Sequence, residues 1–235
     1  MNSFTRDQLA VIGTSTLRVM SSNQIRALGS EQIAALTTLQ VRGLSPQQFS
    51  GFGTGSIGGF ETEDIRVLSS AQLGALTTLQ VSVLRQDQIG AVSVDAVRGL
   101  TALQVTALTT DNIKGLGGGL MGAFSSLQLA GLQAVDAAVL SGDQFRAIGS
   151  RALAGIQTAA VRALSSEALG AIGSGQFRSL TTMQLRALTT AQIEAVPLER
   201  FGALTSVQAK AFQTAQLVGL SAEWLGAINT ATRNK

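Results

Sequence analysis

Large apolar residues recur at every eighth position from Phe4 to Ile228. The series runs through Ile12, Met20, Leu28, Leu36 and Leu44 to Leu204, Phe212 and Leu220, without insertion or deletion. Placing these residues at position h of an octad a–h gives 28 consecutive octads over residues 5–228. Position e is also apolar in all 28, from Leu9, Leu17 and Ile25 to Leu225. Position g is Ala, Gly or Val except at Ser179, position a is Ser, Thr or Gly in 22 octads, and position d is Gln in 16. Self-similarity at a fixed period marks a repeat architecture. A register held this long leaves no room for a linker, so residues 1–235 are expected to form a single array with a short polar tail at 229–235.

The octad reads as one short helix. Ser or Thr at a with Gln at d is a capping box, in which the hydroxyl accepts the N3 amide and the Gln side chain returns to the N-cap amide. Twelve octads carry both halves, among them Ser21/Gln24, Thr37/Gln40, Ser69/Gln72 and Thr189/Gln192. The preceding h and the following e are then the two partners of a hydrophobic staple. Pro46 falls at N1, the helical position that tolerates it. Acids collect at c, in the first helical turn, where the dipole favours them. Eleven of the 17 Lys and Arg sit at f, three residues later. Helices of this length are unstable alone, so they must stack, and the expected fold is an all-α solenoid with e and h as its core. The alternative is a β-solenoid with d–h as strand and a–b as turn, which Ile and Val at e permit. The start signals, the Ala-rich g and the e-to-h spacing of three favour helix.

A slower period suggests the size of one turn. The acids at c, namely Asp7, Glu31, Glu63, Asp87, Asp111, Asp143, Glu167, Glu199 and Glu223, are three or four octads apart, with Asp95 as one extra. Their mean separation of about 3.4 octads predicts a superhelix with that many helices per turn, since a non-integral repeat drifts around its axis. Position c is instead apolar at Leu39, Leu79, Leu103, Leu127, Val135, Met183 and Val207. All but Leu39 fall opposite the acidic line, so Leu79, Leu103, Leu127, Val135, Met183 and Val207 form a candidate interface stripe. An exposed stripe of this kind marks a partner surface; the other reading packs these residues under a neighbouring turn.

Composition removes much chemistry. The chain has no His, Cys or Tyr, one Trp, two Pro, and a formal charge of +3 from 17 basic and 14 acidic residues. Cys/His zinc sites, disulfides, thiol nucleophiles and His general bases are therefore excluded. Charged residues make up 13%, about half the usual share in soluble domains. No run of apolar residues has signal-peptide or membrane-spanning length, so no membrane insertion is expected.

The remaining motifs read mainly as repeat structure. Gly53-Thr54-Gly55-Ser56-Ile57-Gly58 and Gly117-Gly118-Gly119-Leu120-Met121-Gly122 match G-x-G-x-x-G. Both stay in the octad register, without the strand and long helix that a dinucleotide site needs; the second is the expected weak point of the array. Carboxylates on adjacent turns could bind calcium, but the f bases neutralise many of them, so no metal and no cofactor is expected. The Arg line at f (Arg18, Arg26, Arg42, Arg66, Arg98, Arg146, Arg162, Arg178 and Arg186) is a minor candidate for phosphate backbones. Weak net charge and few aromatics make nucleic acid an unfavoured partner. Trp224, at d where Gln is usual, is a candidate end contact.

Stretches such as Leu36-Thr37-Thr38-Leu39-Gln40-Val41 and Leu188-Thr189-Thr190-Ala191-Gln192-Ile193-Glu194-Ala195-Val196 resemble the LTTAQIxAL-type octapeptide arrays of large bacterial proteins. The resemblance covers nearly the whole chain and implies a secreted or surface-associated location rather than a cytoplasmic one. It implies no functional residues, because function does not follow from fold. The leading expectation is a non-enzymatic structural rod that self-associates into homo-oligomers or filaments, end to end or through its apolar stripe. The alternative is an adhesin-like scaffold that recognises a protein, glycan or nucleic acid.

Overall fold

A computed structural model describes residues 4–233. Among them there are 26 α-helices and two 3-10 helices, one for each octad, and no strand. The fold is thus an α-solenoid, and the β alternative is excluded. All twelve capping boxes form. In each, the Ser or Thr oxygen accepts the N3 amide and the Gln side chain accepts the N-cap amide. Thr109 and Asn112 form a thirteenth. The N-cap residue is extended in every octad but that of Pro197, with φ −82° and ψ 155° at Thr37 for example. The chain therefore turns sharply out of one helix and straight into the next.

Every h side chain from Met20 to Ile228, and every e side chain from Leu9 to Ala209, is buried. At the ends of the array Ile12, Leu217 and Leu225 are only half-buried. Each large aliphatic side chain withdrawn from water contributes about 1.5–3 kcal/mol, which these short helices cannot obtain alone. Many helices three octads apart pack on one another, as Pro46–Gly51 does on Ser70–Gly74. Small residues at g permit that approach. A methyl group on Gly99 or Gly155 would run into the backbone carbonyl of Ser70 or Ser126, 29 residues earlier.

The chain divides into two compact units between Leu116 and Gly117, where the second glycine-rich octad begins. In the first unit, Phe49, Phe52 and Phe60 interlock in the core, with ring centroids 5.2–5.8 Å apart. In the second, Phe201 meets Phe177 edge-on at 5.1 Å and lies 6.3 Å from Phe212. The last helix, Ala222–Thr232, runs beyond the final octad into the segment read as a polar tail. Ala231 is fully buried there, and the helix packs on Leu198–Ala203 and Ser206–Ala209. Residues 234–235 of that tail lie outside the described residues.

Candidate functional site

The most organised polar feature is internal. Most Gln residues at d use their two ends differently: Oε1 closes the residue's own N-cap, while Nε2 donates to carbonyls 28 and 31 residues earlier. Gln40 Nε2 lies 2.8 Å from both Leu9 O and Ile12 O. Gln80 reaches Phe49 O and Phe52 O at 2.9 and 2.7 Å, and Gln184 reaches Leu153 O and Ile156 O at 2.8 and 2.7 Å. The last carbonyls of a helix have no partner within it, so one side chain satisfies two helix ends in adjacent turns. The 28-residue reach is three and a half octads, while the helices themselves pack three octads apart. Sequence reasoning assigned only the capping half of this role. The overlooked signal is that d is Gln in 16 octads and never Glu, although either residue closes a capping box. Shorter or longer donors serve where Gln is absent: Ser56 Oγ donates to Leu28 O, Asn112 Nδ2 to Leu84 O at 2.7 Å, and Arg200 Nε to Ile172 O at 3.2 Å.

Asp64 and Asp136 interrupt this pattern with buried carboxyls. Asp64 accepts the Glu61 amide at 3.1 Å but, when ionised, has nothing to donate. Burial pushes its pKa up and the neighbouring Glu61 and Glu63 carboxylates add to the rise, while the Glu61 hydrogen bond opposes it. Burial likewise raises Asp136, which accepts the Gln133 amide at 3.3 Å. A raised carboxyl pKa means that the folded state holds its proton longer than the unfolded chain does. Its contribution is present below the unfolded pKa and is lost as pH rises through the folded one. Asp64→Gln is therefore expected to stabilise the protein at pH 7 by about 1–2 kcal/mol. Urea titrations at pH 4 and 7 test this, with the gain smaller at pH 4. An equal or lower midpoint at pH 7 would refute it.

On the outside, Leu39, Leu79, Leu103, Leu127, Val135, Met183 and Val207 are all 62–74% exposed, so none packs under a neighbouring turn. They are distributed over different helix stacks. Leu79 and Leu103 lie on helices that pack together, Thr78–Ser82 and Ala102–Thr106. The adjoining 3-10 helix, Thr54–Gly59, adds Gly55 and Gly58. The c and f positions of this strip are therefore Gly55, Leu79 and Leu103 with Gly58, Ser82 and Thr106, and none is charged. Ser82 Oγ and Thr106 Oγ1 donate to Leu79 O and Ala102 O at 2.9 and 3.0 Å, which further lowers the polarity of the strip.

The charges at c and f pair as their spacing suggested at Glu63–Arg66, Asp95–Arg98 and Asp111–Lys114, at 2.7, 3.4 and 3.4 Å. Arg85 instead pairs with Asp87 at 3.0 Å and holds that carboxyl below its usual range. Such exposed pairs contribute little to stability. Among the described residues, no three acidic side chains come together as a cation site, and no helix is long and apolar enough to cross a membrane. The two glycine-rich motifs form a 3-10 helix, Thr54–Gly59, and an α-helix, Gly118–Ala123, each in register with its e and h residues buried. Trp224 is half-buried, and its Nε1 is enclosed without a hydrogen-bond partner among the described residues.

The family model of the ALTTAQ repeat matches residues 3–38, 57–94, 145–182 and 169–206, together more than half of the chain. No curated protein matches the sequence.

Proposed function

Because the chain belongs to the ALTTAQ repeat family, we propose that it is a non-enzymatic structural repeat protein that self-associates through the uncharged strip around Leu79 and Leu103. The observation that carries this reading is the strip itself. Two leucines exposed by 67% and 74% stand on stacked helices whose neighbouring c and f positions hold no charge. A strip of this kind is complementary to a second copy of itself, the condition for a two-fold contact. Its centre lacks the charges that are depleted from interface cores. Buried Gln side chains such as Gln80 and Gln184 join one turn to the next, which is a structural role.

Sedimentation of the full chain across a concentration series is expected to show mass above the monomer. Leu79→Ser with Leu103→Ser is expected to shift association to at least tenfold higher concentration, with an unchanged circular dichroism spectrum. A strictly monomeric wild type at the highest soluble concentration, or association unaffected by both substitutions, would overturn the reading.

A further inference from the structure

One helix stack of the second unit has a charge pattern unlike its neighbours. Helices Thr158–Ala163, Thr182–Ala187 and Ser206–Ala209 pack one on the next. Their octads carry Arg162, Arg186 and Lys210 at f, and Ala159, Met183 and Val207 at c, all exposed. Val135, on the helix Ala134–Ala137 packed against the first of them, extends the apolar row. Octads 157–164, 181–188 and 205–212 contain no acidic residue. Arg186 Nε donates to Ala211 O at 3.3 Å, which lays its guanidinium across to the next octad. Among the described residues, none of the five ion pairs involves these three cations. The other two stacks of the unit differ in carrying acids: one has Asp143, Glu167 and Glu194 beside Arg146, and the other mixes Glu199 and Glu223 with Arg151, Arg178 and Arg200.

We infer that this stripe docks an acidic amphipathic segment of another protein. Unpaired cations beside an exposed apolar row complement a ligand that presents carboxylates next to aliphatic side chains. A broad anionic surface such as a lipid bilayer or a nucleic-acid duplex would also meet Asp143, Glu167 and Glu194 on one neighbouring stack. A single peptide segment is narrow enough to lie along one stack. No exposed aromatic residue stands on these three octads, so the base-stacking platform of single-strand binders is missing.

The test uses the full chain and a labelled peptide of about 20 residues, the length of a 30 Å helix, with Leu and Glu on one face. Binding is read by fluorescence anisotropy. The peptide is expected to bind, more weakly as salt rises. Arg162→Glu with Lys210→Glu should weaken it at least tenfold, and Met183→Ser with Val207→Ser several-fold, while circular dichroism stays unchanged. Leu79→Ser with Leu103→Ser should leave it intact, which separates this site from self-association. The inference is overturned if the peptide does not bind, if polyglutamate binds equally well, or if the Arg162 and Lys210 reversals have no effect. It is also overturned if phosphatidylserine vesicles or an oligothymidine bind more tightly than the peptide and lose binding on those reversals, or if loss of Leu79 and Leu103 abolishes peptide binding.

Discussion

Replacing Gln184 by Glu is expected to cost about 3–5 kcal/mol at neutral pH, far more than an isosteric change would suggest. Gln184 is 2% exposed. Its Oε1 accepts the Thr181 amide at 2.9 Å, and its Nε2 sits 2.8 and 2.7 Å from two carbonyl oxygens. The introduced carboxylate keeps the first bond but brings a negative oxygen against two carbonyls in a buried seam. It must then displace the turn or take up a proton. The sign follows: the folded pKa of the new carboxyl lies above the unfolded value of ~4.3. The loss is therefore full at neutral pH and shrinks as pH falls through that raised pKa, because the protonated acid can donate to one carbonyl. Gln184→Ala, which removes the donor without adding charge, should cost about 1–3 kcal/mol with no such pH dependence. Urea unfolding followed by circular dichroism at pH 4 and 7 measures both. A Gln184→Glu protein within about 1 kcal/mol of the wild type at pH 7 would show that the seam does not hold the turns together.

Phe201→Ala is expected to remove a further 3–5 kcal/mol by leaving a cavity that cannot close. The Phe201 ring is fully buried, edge-on to Phe177 and near Phe212, and belongs to a six-residue 3-10 helix without a side-chain cap. That segment depends on its core contacts rather than on capping. In a solenoid the loss acts on one turn and its nearest neighbours. Trp224, the only tryptophan, lies on the helix that packs against this segment. The fluorescence transition in denaturant should therefore move to lower concentration at least as far as the far-ultraviolet transition. If the fluorescence midpoint moves less, the aromatic contact is not what supports this turn.

The elements were legible because each octad contains its own start signal. Ser45, Pro46 and Gln48 specify a helix within four residues, and the box and N1 proline form there as read. The core was legible for a similar reason, since e and h fall on one side of any helix begun at a. Burial at d was not legible. Gln has a sufficient local purpose in the capping box, and the carbonyls that receive Nε2 lie 28 and 31 residues away, beyond what local pattern shows. The apolar residues at c other than Leu39 are read from the sequence as one stripe, and all seven are exposed. Whether Leu79 and Leu103 stand beside each other or beside a charged column depends on which octads stack.

Local signals alone specify that a helix starts at every eighth residue and that e and h face inward, because capping and amphipathicity act over four residues. The packing of one turn on another is what shares most of the Gln side chains, such as Gln40 and Gln184, between two turns. It alone set the close approach of Gly99 to Ser70, and separated an uncharged leucine strip in one unit from a basic, apolar one in the other. Those outcomes depend on the number of residues in one turn of the coil, which is set by packing between helices that are distant in the chain.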